Sequence, residues 1–119
     1  MENNNYSYLF KRYQIFKKEQ RTNRRYMYNE IFKITSVNFK KNHLDILGVD
    51  ISISGIGFVS TTKFEIDDIL EIIFKYNKIT IPATVKVVHV SLYDQGYFIG
   101  GQFIAIQNMY REILKLDLL

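Results

Sequence analysis

Between residues 26 and 105 the chain runs through six or seven short stretches rich in β-branched and aromatic residues, each closed by a polar or glycine-bearing turn. Nothing else in the sequence restricts the fold as strongly. Strands this short and this evenly spaced bury their apolar faces by closing on one another in an antiparallel barrel, whereas parallel strands need long helical crossovers. The stretches lie at residues 26–39 (Tyr26, Tyr28, Phe32 and Ile34 as strand positions), 44–53, 58–59, 69–76, 79–90 and 97–105. Lys40-Lys-Asn-His43, Asn77-Lys78 and Asp94-Gln-Gly96 read as turns, and Gly55 and Gly57 as a tight corner. Gly48 interrupts its strand and reads as a bulge. The single proline, Pro82, cannot donate to a ladder and belongs at an edge or a bulge.

Two helical stretches flank this region. Residues 6–19 place Leu9, Tyr13 and Phe16 at helical spacing, with Phe10 beside them and Lys11, Lys17 and Lys18 elsewhere. Residues 108–119 place Met109, Ile113 and Leu116 on one face, Tyr110 and Leu114 beside it, and Asn108 at the cap position. The expected fold is mostly β: a six- or seven-stranded antiparallel β-barrel with an N-terminal helix and a C-terminal helix. Residues 1–19 form the helical extension and residues 20–119 the barrel domain with its closing helix.

A chain of 119 residues suits one compact domain. The absence of cysteine excludes disulfides, thiolate nucleophiles and Cys-based zinc sites. No apolar run approaches the roughly 18 residues that cross a bilayer, and the polar start Met1-Glu-Asn-Asn-Asn5 lacks a signal-peptide pattern. The expectation is a cytoplasmic domain with no membrane insertion. The net charge of +4 is uneven: residues 1–25 carry seven basic and two acidic side chains, a local +5, and the remainder carries −1. A positive field confined to one segment points to an anionic partner.

Two motifs carry the chemistry. Arg21-Thr-Asn-Arg-Arg25 puts two guanidinium groups four residues apart in the basic segment, roughly 13 Å apart if the chain is extended. Asp50-Ile-Ser52-Ile-Ser-Gly55 puts a carboxylate and a hydroxyl on alternate residues of an apolar strand, so the two share a face. If that face is exposed, Val49, Ile51 and Ile53 point into the core. Guanidinium groups fork onto phosphates and meet guanine, while a carboxylate accepts from guanine's donor edge. Gly55 removes a Cβ and so permits positive φ at this point.

With these residues in place the chain resembles the PilZ domain family, bacterial receptors for cyclic di-GMP. The resemblance rests on Arg21 and Arg25, then Asp50, Ser52 and Gly55, with Gly57-Phe58 and Gly100-x-x-Phe103 in support, and covers about residues 20–119. It implies that Arg21 and Arg25 clamp guanine bases and phosphates from a flexible segment, that Asp50 and Ser52 contact a guanine, and that Gly55 lets backbone approach the ligand. Gln20, just before the first arginine, stands where family members set whether one ligand or a stacked pair binds. Arg24 adds to the local field, and Gly101 is a secondary candidate, although Gly100 and Gly101 also read as barrel-bend glycines.

The function implied is a non-catalytic cyclic di-GMP receptor. Its N-terminal arm changes conformation on binding and signals to a protein effector of the motility, secretion or biofilm machinery. The alternative is a PilZ-like interaction module that binds no nucleotide. No DNA partner is expected, since the basic residues sit at one end instead of lining a strand face. No cofactor is expected, and His43 and His89 are too far apart in sequence, without companions, to suggest a metal site. No nucleophile elbow, phosphate loop or paired His–carboxylate arrangement suggests an enzyme.

Overall fold

A computed structural model describes residues 24–119. Seven strands run in chain order: β1 (Tyr26–Met27), β2 (Ile31–Val37), β3 (Lys40–Ser52), β4 (Gly55–Ser60), β5 (Ile69–Tyr76), β6 (Ile79–Tyr93) and β7 (Gly96–Ile106), followed by helix α1 (Asn108–Leu118). All pairings are antiparallel. The order β3-β2-β5-β6-β7-β4 closes through a β3–β4 pairing, which gives a six-stranded barrel, and β1 adds a short edge strand to β3. The N-terminal helix expected at residues 6–19 lies outside the described residues.

Closure depends on one long strand. The first half of β3 pairs with β2, and its second half, Leu47 to Ser52, pairs with β4. Ile46 and Ile51 are both core residues although five positions apart, and on an unbroken strand they would face opposite sides. The register shift between Gly48 and Asp50 resolves this conflict, because one extra residue resets the alternation. The bulge that the sequence suggested at Gly48 thus falls beside it, with Val49 the extra residue. The lack of a Cβ on Gly48 leaves room for the Tyr28 ring.

Several turns differ from expectation. The β2–β3 hairpin turns at Asn38-Phe39, both at positive φ (51° and 69°), not at residues 40–43. Asn tolerates this conformation, and its amide also ties the turn to the next loop through Asp68 Oδ1 (3.0 Å) and the Ile69 N–H (2.8 Å). Lys40 to His43 extend β3 instead. Asn77-Lys78 repeats the same positive-φ pair, 50° and 67°, as expected. Pro82 lies just past the end of the β6–β7 pairing, which begins at Ala83, so it occupies an edge position on that side.

The core holds Phe32, Ile34, Ile51, Ile56, Phe58, Leu70, Ile72, Phe74, Ile81, Val85, Val87 and Ile99 among others. Phe32 and Phe58 meet edge to face at 5.4 Å, and Phe74 stacks on Phe103 at 5.7 Å. Helix α1 joins the core by burying Leu114 and Leu118, with Tyr110 partly buried against it. The expected 109/113/116 face is thus not the buried one: Met109 and Leu116 are exposed. The cap differs too, since Gln107 is the N-cap and makes no side-chain bond. Asp117 tethers the helix to the β5–β6 turn by accepting from Tyr76 Oη (3.0 Å) and Asn77 Nδ2 (2.8 Å).

Candidate functional site

The site assembles where β1 meets β3. Tyr26 pairs with Ile51 and Met27 with Asp50, so the antiparallel register brings Arg25 alongside Ser52. The bulge at Gly48 has meanwhile turned Asp50 and Ser52 to the outer face, with Ile51 left in the core. Arg25 then lies across both: Nε donates to Asp50 Oδ1 at 3.2 Å, Nη2 to the same oxygen at 3.0 Å, and Nη1 to Ser52 Oγ at 3.1 Å. Arg25 of the first motif and Asp50 and Ser52 of the second, 25 and 27 residues on, become one hydrogen-bonded cluster.

The cluster is not the exposed face expected. Arg25 and Asp50 retain side-chain exposures of 2% and 7%, and Ser52 is fully buried. A buried ion pair is sustained only when geometry is good and further hydrogen bonds satisfy the remaining groups, and Ser52 supplies one such bond. Ser52 Oγ also accepts from the Ser54 N–H at 3.1 Å and lies 3.0 Å from Ser54 Oγ. The β3–β4 turn falls at Ile53-Ser54, so Ser54 joins the cluster from the turn itself.

The glycines have other reasons than expected. Gly55 and Gly57 lie within β4, not at a corner, and no described glycine has positive φ. A Cβ on Gly55 would strike the Gly101 carbonyl oxygen, so this glycine allows β4 and β7 to approach closely. A Cβ on Gly57 would strike Asp50 Oδ1, the oxygen that accepts twice from Arg25. Gly57 therefore provides the space the carboxylate occupies. The sequence signal for this role is the Gly-x-Gly alternation, which by itself reads as a turn.

Of the remaining candidates, Arg24 is exposed immediately before Arg25 and stands outside the cluster bonds described above. Gly101 faces the other way: a Cβ there would strike Val85 Cγ1 in the core. Arg21 and Gln20 lie outside the described residues. Tyr28, just past β1, donates from Oη to the Lys75 carbonyl at 2.6 Å and anchors this edge to β5. Burial first, and the charge of Glu30 second, push its pKa up to about 12 against the lowering effect of the Lys75 bond. No group of three or more metal-ligating side chains occurs among the described residues, and no described helix is long and apolar enough to cross a membrane.

Comparison with known proteins agrees with this architecture. Among solved structures, the Bacillus subtilis inhibitor of motility (MotI/DgrA) superposes with a TM-score of 0.59 at 14% identity, over 76% of this chain and 45% of that one. At that identity the likeness is one of fold, and the chain spans less than half the length of the neighbour. No curated protein matched. The family model for the PilZ domain matches residues 19–116, most of the chain and both motifs. With that match over this barrel, the chain belongs to the PilZ domain family.

Proposed function

We propose that this chain is a non-catalytic receptor for cyclic di-GMP, which occupies the outer face around Arg25, Asp50 and Ser52. The observation that carries the proposal is the seating of Arg25 on Asp50 and Ser52 by three hydrogen bonds. Members of this family generally bind that dinucleotide, and here Arg25 of the first motif meets Asp50 and Ser52 of the second. A guanidinium beside a carboxylate and hydroxyls offers donors for phosphate oxygens or the guanine acceptor edge, and acceptors for the guanine donor edge. Arg21, on the same basic segment, supplies a second guanidinium.

Binding exchanges part of the Arg25–Asp50–Ser52 cluster for ligand contacts and orders the arginine-bearing segment against the barrel. That segment, with the chain before it, then presents or withdraws a surface for a partner protein. The structural neighbour is an inhibitor of motility, which makes motility components the first partners to test.

Calorimetric titration with cyclic di-GMP tests the reading. Wild type binds, and Arg21→Ala and Arg25→Ala each weaken binding at least tenfold, as expected when a charge-assisted bond worth about 1.5–3 kcal/mol is lost. Unchanged affinity in both variants, or an inert wild type, refutes it.

A further inference from the structure

The outer face of the barrel carries an apolar row beside the charged cluster. Leu47 opposes Val59 and Val59 opposes Phe98 across β3, β4 and β7, and directly opposed residues share a face. Their chain neighbours Ile46, Phe58 and Ile99 belong to the core, so the row points away from it. The row and the cluster touch: a Cβ on Gly57 would strike Asp50 Oδ1 and come within 2.9 Å of Phe98 Cζ. Phe98 is nevertheless fully buried without being a member of the core cluster. Arg25, lying over Asp50 and Ser52 on the same face, is only 4% exposed.

Outward side chains of a barrel lose their contact with solvent only beneath further chain. The described elements outside the barrel are engaged elsewhere. Helix α1 buries Leu114 and Leu118 in the core and is tied to the β5–β6 turn by Asp117. Residues 61–68 send Phe64 into the core and bond to Val87 through the backbone of Asp67 and Asp68. β1 lies along the edge of β3. What remains is the chain before Arg24, which enters this face beside Ser52.

Its sequence suits the task. Leu9, Tyr13 and Phe16 recur at helical spacing with Phe10 beside them, and Lys11, Lys17 and Lys18 fall elsewhere. In a helix, Leu9 to Phe16 span about 10 Å, which matches the two strand spacings, about 10 Å, from Leu47 to Phe98. Phe98 lies two strands across and four residues along from Ser52, a diagonal of about 16 Å. Residues 20–24 reach about 17 Å when extended, enough to cover it.

We propose that residues 6–19 are a built-in cover of this face. In the ligand-free chain Leu9, Tyr13 and Phe16 seat on Val59 and Phe98, and Leu47, 44% exposed, marks the margin. The segment thereby competes with the ligand for the neighbouring cluster. The competition rests on the cyclic di-GMP reading above; the covering does not. A ligand that reaches Asp50 has to lift whatever lies over Phe98, because both border the Gly57 position. Apparent affinity is then the intrinsic affinity multiplied by the fraction of chains whose face is open.

The chain has no cysteine, so Lys17→Cys takes a single nitroxide label in an otherwise unaltered protein. NMR signals of the Val59 methyls and the Phe98 ring are compared with the label oxidised and reduced. Calorimetry measures cyclic di-GMP binding by wild type and by the double variant Leu9→Glu/Phe16→Glu. The expected result is strong broadening of both signals in the ligand-free chain and its loss when the two Glu substitutions are added. The double variant binds about tenfold more tightly, as for a cover closed about nine-tenths of the time. Signals left sharp by the oxidised label overturn the cover. Broadening with unchanged affinity in the double variant overturns the competition. If wild type and double variant are both inert to cyclic di-GMP, the receptor reading falls, and the broadening still decides the cover.

Discussion

Gly57→Ala isolates the logic of the cluster, because the added methyl meets the carboxylate oxygen that accepts from Arg25. The backbone there accepts any residue, since φ is not positive, so the substitution acts through space alone. Its Cβ would strike Asp50 Oδ1 and come within 2.9 Å of Phe98 Cζ. The carboxylate must move, and the displaced oxygen is the acceptor of both the Nε and Nη2 bonds from Arg25. Overpacking of this kind costs about 1–3 kcal/mol, and weakening hydrogen bonds to a buried charged group adds about 1.5–3 kcal/mol. A total of about 3 kcal/mol is expected, or a fall in Tm of about 12 °C for a domain of this size.

Asp50→Ala removes the obstructing oxygen. In that background Gly57→Ala meets only the far end of the Phe98 ring and should cost about 1 kcal/mol or less, a coupling of about 2 kcal/mol. Urea denaturation of wild type, both single variants and the double variant measures this. Sucrose added equally to all four keeps the weaker variants folded, since losing Asp50 strands a buried guanidinium at about 3–5 kcal/mol. If Gly57→Ala costs the same in both backgrounds, the glycine makes room for Phe98 and not for the carboxylate, and the reasoning fails.

Two further predictions concern the frame around the site. Tyr28 has a folded pKa of about 12 against 10.0, so its contribution to stability is complete below pH 10 and is lost as pH rises towards 12. Spectrophotometric titration should show both Tyr28 and Tyr76 ionising late, and Tyr28→Phe should remove one of the late steps and lessen the stability loss between pH 10 and 12; an unaltered profile refutes it. Leu114→Ala, at a buried position of α1, should cost about 2–5 kcal/mol, whereas Leu116→Ala, 85% exposed, should stay within about 0.5 kcal/mol. Denaturation midpoints that reverse this order would mean the helix packs through its other face.

The barrel was legible because strand periodicity and turn chemistry agree along most of the chain. It became illegible where one residue breaks the period. Gly48 announced its bulge because glycine has few reasons to interrupt a strand, whereas Val87-Val88-His89 carries no such mark and reads as an unbroken β stretch. The sequence accordingly gives no sign of which way His89 points. The helix face was misread for a related reason: Met109, Ile113 and Leu116 form an apolar stripe as regular as the one that packs, and only the core beneath decides between them. The Asn38-Phe39 turn was hidden because Phe39 looks like a strand residue, although it sits exposed at positive φ. The expectations for Arg21, Gln20 and the N-terminal helix fall outside the described residues.

The burial of Arg25 bears on what any ligand gains from it. An arginine on a mobile segment loses side-chain and backbone freedom when it is captured, and that loss is subtracted from the affinity. Here Arg25 is already desolvated and held by Asp50 and Ser52. A ligand arriving at this face therefore meets an ordered guanidinium, but it has to match the bonds that Asp50 and Ser52 supply. A neutral aromatic cannot do so, because it offers no acceptor to replace the carboxylate and would leave a buried cation unsatisfied. A guanine joined to a phosphodiester can, with acceptors for Arg25 and donors for Asp50 in the same molecule. On the proposed reading the ion pair would select among ligands by what its displacement demands, and Gly57, by giving the carboxylate its place, would belong to that selection.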